Sequence, residues 1–364
     1  MKKTLFLCNT VYQVFVALWI AHLYHKEDEN DFLITDHMNG AEKLAQNAAK
    51  TALVSDAIFV KRKETDKTVG YDSCFDSYQK RIHPQTELEK YHLTLSKKYD
   101  VLYIANFDGL SQALFYPLKR KNRHLLLKMF EDGLSSYTTK FEGCYSACRE
   151  PATSKKLSSR ILKALYPTYG IVGRIDECLL FSPELLQWNP GLVTKLPLID
   201  AKDAEFKKIV NRVFAYEEMT DIYDKDYLFM EEAYHADGRE VGDVTLIEEL
   251  ANRVGKDNIM IKIHPRNPEN RFQELGYKTN DNTSMPWEVI ILNTPELNSK
   301  TLVTICSASV INPARLFGME PKVYSLYGCL EPQVLKGYES IVDVAKELFD
   351  RYGAIQCTSI QQIT

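Results

Sequence analysis

The chain has 364 residues, beyond the usual reach of one hydrophobic core, with 45% hydrophobic and 26% charged residues, so two globular domains are expected. A formal net charge of -4 excludes nucleic acid as the main partner, because neutralising phosphates needs a clear basic excess. Eight cysteines in so long a chain form no disulfide framework, which suits a reducing cytoplasm.

Residues 4–8 read as a first buried strand and 14–25 as the helix after it. Met1-Lys2-Lys3 ahead of them imitates a secretory leader, but Asn9, Thr10 and Gln13 interrupt the apolar run and no small-residue cleavage site follows. No stretch reaches the ~20 apolar residues of a spanning helix. A cytoplasmic protein is expected, soluble or peripheral at the inner face of the membrane. Further strands are predicted at 31–35, 57–60, 100–104 and 124–130, with helices at 41–53 and 87–98. The pattern loosens between 144 and 169, resumes at 177–181, and gives way to a linker rich in Pro, Gly and Asp over 188–201. It restarts with strands at 227–230, 258–263, 289–291, 302–306 and a last one at 322–324, and with helices at 244–254 and 341–352. Strands alternating with helices, each strand apolar on both faces, signal doubly wound parallel sheets. We expect an α/β protein with one such domain over 1–190 and a second over 191–364, a cleft between them, and a final helix that could pack back on the first.

Cys8 and Cys306 lie in apolar strands as small buried hydrophobes, and Cys144 with Cys148 lacks a second ligand pair for zinc. Polar residues instead gather directly after strands: Asn9 and Thr10; Asn106 and Asp108; Glu131-Asp132-Gly133; His264-Pro265-Arg266; Ser307-Ala308-Ser309. Ligands of open α/β sheets bind at these carboxyl ends. Each cluster alone is ordinary turn chemistry; their recurrence on both sheets favours a site. His264, held by Pro265, can hydrogen-bond a phosphate, or as imidazolium stabilise or protonate a departing one. Ser307 and Ser309 open a predicted helix, which suits an anion, although Ser309 could simply cap it. Asp132 beside Glu131 is a general-base candidate through like-charge proximity, with an Asp-Gly turn as the plain alternative. There is no P-loop, G-x-G-x-x-G or G-x-S-x-G. Without an evident metal site, leaving-group charge falls to His, Arg, hydroxyls and helix N-termini.

These motifs resemble those of bacterial sialyltransferases, in particular glycosyltransferase family 52. That family has an acidic pair before glycine, a His-Pro pair and a later serine motif, seen here as Glu131-Asp132-Gly133, Ile263-His264-Pro265-Arg266 and Ser307-Ala308-Ser309. Asn9-Thr10-Val11-Tyr12-Gln13 is similar to its first strand-to-helix loop. The resemblance implies a GT-B fold of two Rossmann-like domains, with an acceptor side first and a donor side second. It also implies CMP-sialic acid as donor, no metal cofactor, and inverting transfer, α-2,3 by expectation, to a galactose-type hydroxyl of a capsule or lipooligosaccharide. His264, Ser307 and Ser309, flanked by Pro265 and Arg266, would take the departing CMP phosphate. Glu288 would take the ribose hydroxyls, unless it is a solvated acid at a helix start. The family's base can also stand after the second domain's first strand, which makes Asp237 the rival to Asp132. Asn9, Thr10, Gln13, Asn106, Asp108, Glu131 and Gly133 would line the acceptor side.

The basic stretch 149–174 could lie on an anionic membrane and reach a lipid-linked glycan, or be a solvated helix packed by one apolar face. Homodimerisation stays open. The competing functions are a related transferase with a UDP-sugar donor and a non-catalytic sugar or nucleotide binder.

Overall fold

The structure is a computed structural model that describes residues 1–68, 88–137, 174–218, 222–267, 269–280, 282–331, 334 and 339–364. The chain divides into two compact units: Met1–Pro197 with Lys208–Ala215, and Leu198–Lys207 with Tyr216–Thr364. The basic stretch 149–173, Cys144 and Cys148 lie outside the described residues.

The first unit is built on seven parallel strands: β1 (Lys3–Cys8), β2 (Glu29–Thr35), β3 (Asp56–Val60), β4 (Val101–Ile104), β5 (Leu126–Phe130), β6 (Glu177–Leu180) and β7 (Val193–Lys195). They lie in the order β3-β2-β1-β4-β5-β6-β7. The sequence runs outward from β1 in one direction and from β4 in the other. The carboxyl ends of β1 and β4 therefore flank the topological switch point, where open α/β sheets bind ligands. Phe6 on β1 pairs in register with Phe32 and Tyr103 and stacks between them, with ring centroids 4.9 and 4.5 Å apart. The helix Val11–Tyr24 starts on Thr10, whose hydroxyl accepts the Gln13 amide, and buries every residue from Gln13 to Ala21. A helix apolar all round is a core helix.

The second unit carries six parallel strands: β8 (Tyr227–Met230), β9 (Ile259–Lys262), β10 (Lys278–Thr279), β11 (Thr301–Thr304), β12 (Lys322–Ser325) and β13 (Ile355–Gln356). Their order is β10-β9-β8-β11-β12-β13, so β8 and β11 flank the switch point of this sheet.

Several predicted elements change. Residues 91–99 are not helical: Tyr91, Leu93 and Leu95 are buried, with exposed residues between them. That is a period of two, and His92 at φ 54 ends the short helical turn before it. The predicted linker 188–201 contains β7, which pairs with β6. Val289, Ile290 and Ile291 are in the helix Trp287–Asn293, not a strand, because a short run buried on all sides has no periodicity to separate the two. The predicted helix 41–53 stops at Ala48. The helix Gly109–Lys121 was not anticipated, nor were β10 and β13, the latter following the strand expected to be last. Among the described residues no helix is long and apolar enough to cross a membrane.

Candidate functional site

In the first unit the ends of β1, β4 and β5 gather one polar cluster. Asn9 is buried, and its side chain donates to Asn106 Oδ1 at 3.3 Å and to Asp108 Oδ2 at 2.7 Å. Its own Oδ1 accepts Thr35 Oγ1 at 3.0 Å and Arg62 Nη1 at 2.9 Å. Asp108 receives Arg62 Nη1 at 2.7 Å and caps the helix Gly109–Lys121 by accepting the Ser111 amide. Gln13 accepts the Asn9 amide at 2.6 Å and turns its Nε2 to Asp132 Oδ1 at 2.5 Å.

The two acids after β5 part company. Glu131 is fully buried: Tyr12 donates to it at 2.6 Å, the Phe181 amide at 3.0 Å, and the Tyr137 hydroxyl also donates to it. It ties the loop to β6 and the first helix. Asp132 is only half-buried, and its amide donates to Ser136 Oγ at 2.7 Å. Gly133 at φ +74 adopts the left-handed backbone that opens the turn Gly133–Tyr137. Burial pushes the Asp132 carboxyl up to about 6, against the Gln13 and Asn106 hydrogen bonds that favour its charge. The like charges of Asp108 and Glu131 add less than burial, so the cause differs from the expected carboxylate pairing.

In the second unit the ends of β8, β9 and β11 gather another. His264 Nδ1 accepts the Arg266 amide at 3.2 Å, which assigns the ring proton of the neutral imidazole to Nε2 and makes that nitrogen a donor. Burial, then Arg266 and Lys262, push His264 down to about 4, so the ring is neutral near pH 7 in the free protein rather than an imidazolium. Pro265 is exposed beside it. Arg266 reaches Asp237 Oδ1 at 3.2 Å, so the rival carboxylate is engaged in an exposed ion pair. Ser307 Oγ and Ser309 Oγ lie 2.8 Å apart. Ser307, not Ser309, is the cap: it accepts the Ser309 amide and starts the 3-10 turn Ala308–Ile311, which continues as the short helix Asn312–Phe317. With so little helix behind it, this loop offers an anion its hydroxyls more than a dipole. Glu288 is buried rather than solvated, and its Oε1 accepts Asn312 Nδ2 at 2.7 Å. Burial raises its carboxyl, with Lys262 and Arg315 countering.

The profile of the alpha-2,8-polysialyltransferase (POLYST) family matches residues 4–327. The chain belongs to this sialyltransferase family. No curated protein matches it. Among solved structures, the α/β-galactoside α-2,3-sialyltransferase of the marine bacterium Photobacterium phosphoreum aligns over 100% of this chain and 99% of its own, with TM-score 0.52 and 10% identity. The glycotransferase of kitacinnamycin aligns over 100% of this chain and 87% of its own, with TM-score 0.51 and 9% identity. At such identities the likeness carries the fold, which is GT-B, as the motif resemblance implied.

Both clusters of this sialyltransferase also involve residues that the sequence does not advertise. Arg62, 3% exposed, stands in a Lys-Arg-Lys run that reads as a solvated charge cluster, yet it joins Asn9 to Asp108. Glu231 and Glu232, directly after β8, reach both motif loops of the second unit. Glu231 Oε2 accepts the His264 amide at 2.9 Å, and Glu232 Oε1 accepts the Cys306 amide at 2.5 Å. Two acids closing an apolar strand were the available signal. Among the described residues no group of three or more His, Cys, Asp or Glu side chains is placed to hold a metal ion.

Proposed function

We propose that this sialyltransferase moves sialic acid from CMP-sialic acid to a glycan hydroxyl with inversion, Asp132 being the general base. The observation that carries the reading is Asp132 itself. It is a half-buried carboxyl raised to about 6, oriented by the Gln13 amide, at the carboxyl end of β5 beside the switch point of its sheet. The acceptor proton passes to Asp132 while the acceptor oxygen bonds to C2 of the sugar. The C2–O bond to phosphate breaks through an oxocarbenium-like state, and its electron pair leaves on CMP. His264 Nε2–H and the Ser307 and Ser309 hydroxyls would meet that phosphate, and Glu288 the ribose. Arg266 and Pro265 shape the His264 loop. Asn9, Thr10, Asn106, Asp108, Glu131 and Gly133 act by holding Gln13 and Asp132 in place. No metal ion is needed in this reading, because hydroxyls and imidazole answer the charge.

The family's name favours a sialic acid terminus as acceptor, extended in α-2,8 linkage. The motif order, which resembles glycosyltransferase family 52, supports the second reading: a galactose-type hydroxyl of a bacterial capsule or lipooligosaccharide, sialylated in α-2,3 linkage. Either glycan could be lipid-linked and met at the inner face of the membrane. The test is to incubate the protein with CMP-sialic acid and EDTA, offering lactose and an oligosialic acid in parallel. Product from either acceptor that disappears in His264→Ala is the expected result, and the acceptor used chooses between the readings. CMP binding without turnover, or turnover only with a UDP-sugar, would overturn the proposal.

A further inference from the structure

β8 lies between β9 and β11, and the loops that follow its two neighbours carry the His-Pro and serine motifs. The two residues closing β8 are acids that reach opposite ways. Glu231 is buried; its amide donates to the Lys262 carbonyl at 3.1 Å, and its Oε2 accepts the His264 amide at 2.9 Å. Its other oxygen receives Arg271 Nη2 at 3.2 Å, and Arg271 is held in turn by Asp243 at 2.6 Å. Glu232 gives a single oxygen to two donors of the other loop, the Thr304 hydroxyl at 2.8 Å and the Cys306 amide at 2.5 Å. The same Thr304 Oγ1 accepts the Ser307 amide at 2.9 Å, so a continuous hydrogen-bonded path runs from Glu232 to the serine pair.

We infer that Glu231 and Glu232 are positioning residues that jointly set the phosphate-binding loops of the donor site, Glu231 through the His264 amide and Glu232 through Cys306, Thr304 and Ser307. The inference deepens the donor reading above and rests on it for its ligand. A buried amide without an acceptor is costly, so both loops keep one conformation before any donor arrives and less ordering remains to oppose binding. Glu232 does this without full charge. Burial, ahead of the nearby Asp243 and Glu231 charges, pushes its carboxyl up to about 7 despite the Cys306 and Thr304 hydrogen bonds. What the loop uses is an acceptor oxygen, which a glutamine also supplies.

The experiment combines CMP titration by calorimetry with backbone amide hydrogen exchange of the ligand-free protein. Glu232→Ala should speed exchange at Cys306 and Ser307 and leave His264 unchanged; Glu231→Ala should do the reverse. Each should weaken CMP binding about tenfold, the scale of one lost hydrogen bond, and Glu232→Gln should recover most of that affinity. Should Glu232→Ala misfold, Thr304→Val breaks the same path and should speed the Ser307 amide. Equal effects of both acids on both loops, or no effect on either, would overturn the inference. So would failure of Glu232→Gln to recover affinity, which would mark a charge or proton role instead. If the unaltered protein binds no CMP, the donor reading fails while the exchange pattern still judges the two acids. If CMP binds but the exchange pattern is absent, the donor reading survives and the positioning role falls.

Discussion

Asp132 and Glu131 are neighbours with opposite duties, and their surroundings assign them. Glu131 is saturated by two tyrosine hydroxyls and a backbone amide. Tyr137→Phe should therefore cost roughly 1–3 kcal/mol of stability, measured by denaturant unfolding, because it takes a donor from a buried carboxylate. Asp132 keeps its proton up to about 6 in the folded chain against a reference of 3.8. A carboxyl raised on folding favours the folded state most when protonated, and that advantage is lost as pH climbs from the unfolded to the folded value. Asp132→Asn should thus melt higher than the unaltered protein at pH 8, with a smaller difference at pH 5. Its turnover should fall by about 10²–10⁴, and the acid limb of the pH–rate profile near 6 should disappear. Stability and activity moving in opposite directions would mark a base; a joint fall would mark a structural acid. Asp237→Asn should change turnover little, since its carboxylate is engaged by Arg266 at an exposed site. For His264, the ring should titrate near 4 in the free protein and move upward when CMP is present, followed by imidazole proton shifts in NMR.

At the scale of elements, the longer strands were legible, while the short β7, β10 and β13 and several connections were not. The apolar run Leu5-Phe6-Leu7, closed by the polar Asn9-Thr10 turn, reads as a strand covered on both faces, and it was found. Val289-Ile290-Ile291 has two explanations. The structure chooses helix because Pro286 starts it and the Trp287 indole is anchored on the Ser309 carbonyl at 3.0 Å. Ile290→Ala in that helix should cost roughly 2–5 kcal/mol in denaturant unfolding, as for other large-to-small changes in a core. The strand-end clusters were legible because polar residues at those positions have few other reasons to recur. Arg62 and Glu232 were not, because their partners lie 46 and 74 residues away in sequence. Spacing along a chain does not carry such contacts.

At the scale of the molecule, two sheets in succession were readable from alternation alone, and the family match extends over both. CMP should protect backbone amides after β8, β9 and β11 in the second unit; protection confined to the first unit would contradict the assignment of donor binding. The chain's route between the units bears on how the protein can be taken apart. It passes from the first unit at Pro197 to the second, returns at Lys208, and leaves again after Ala215, so the single helix Ala204–Phe214 contributes to both. A gene fragment ending at 197 would omit Val213, whose carbonyl accepts Asn47 Nδ2 at 3.4 Å, and the buried Val210 beside it. No single cut yields two whole halves. Complementation from separately expressed pieces would need residues 198–215 on both fragments, the first ending at Ala215 and the second starting at Leu198.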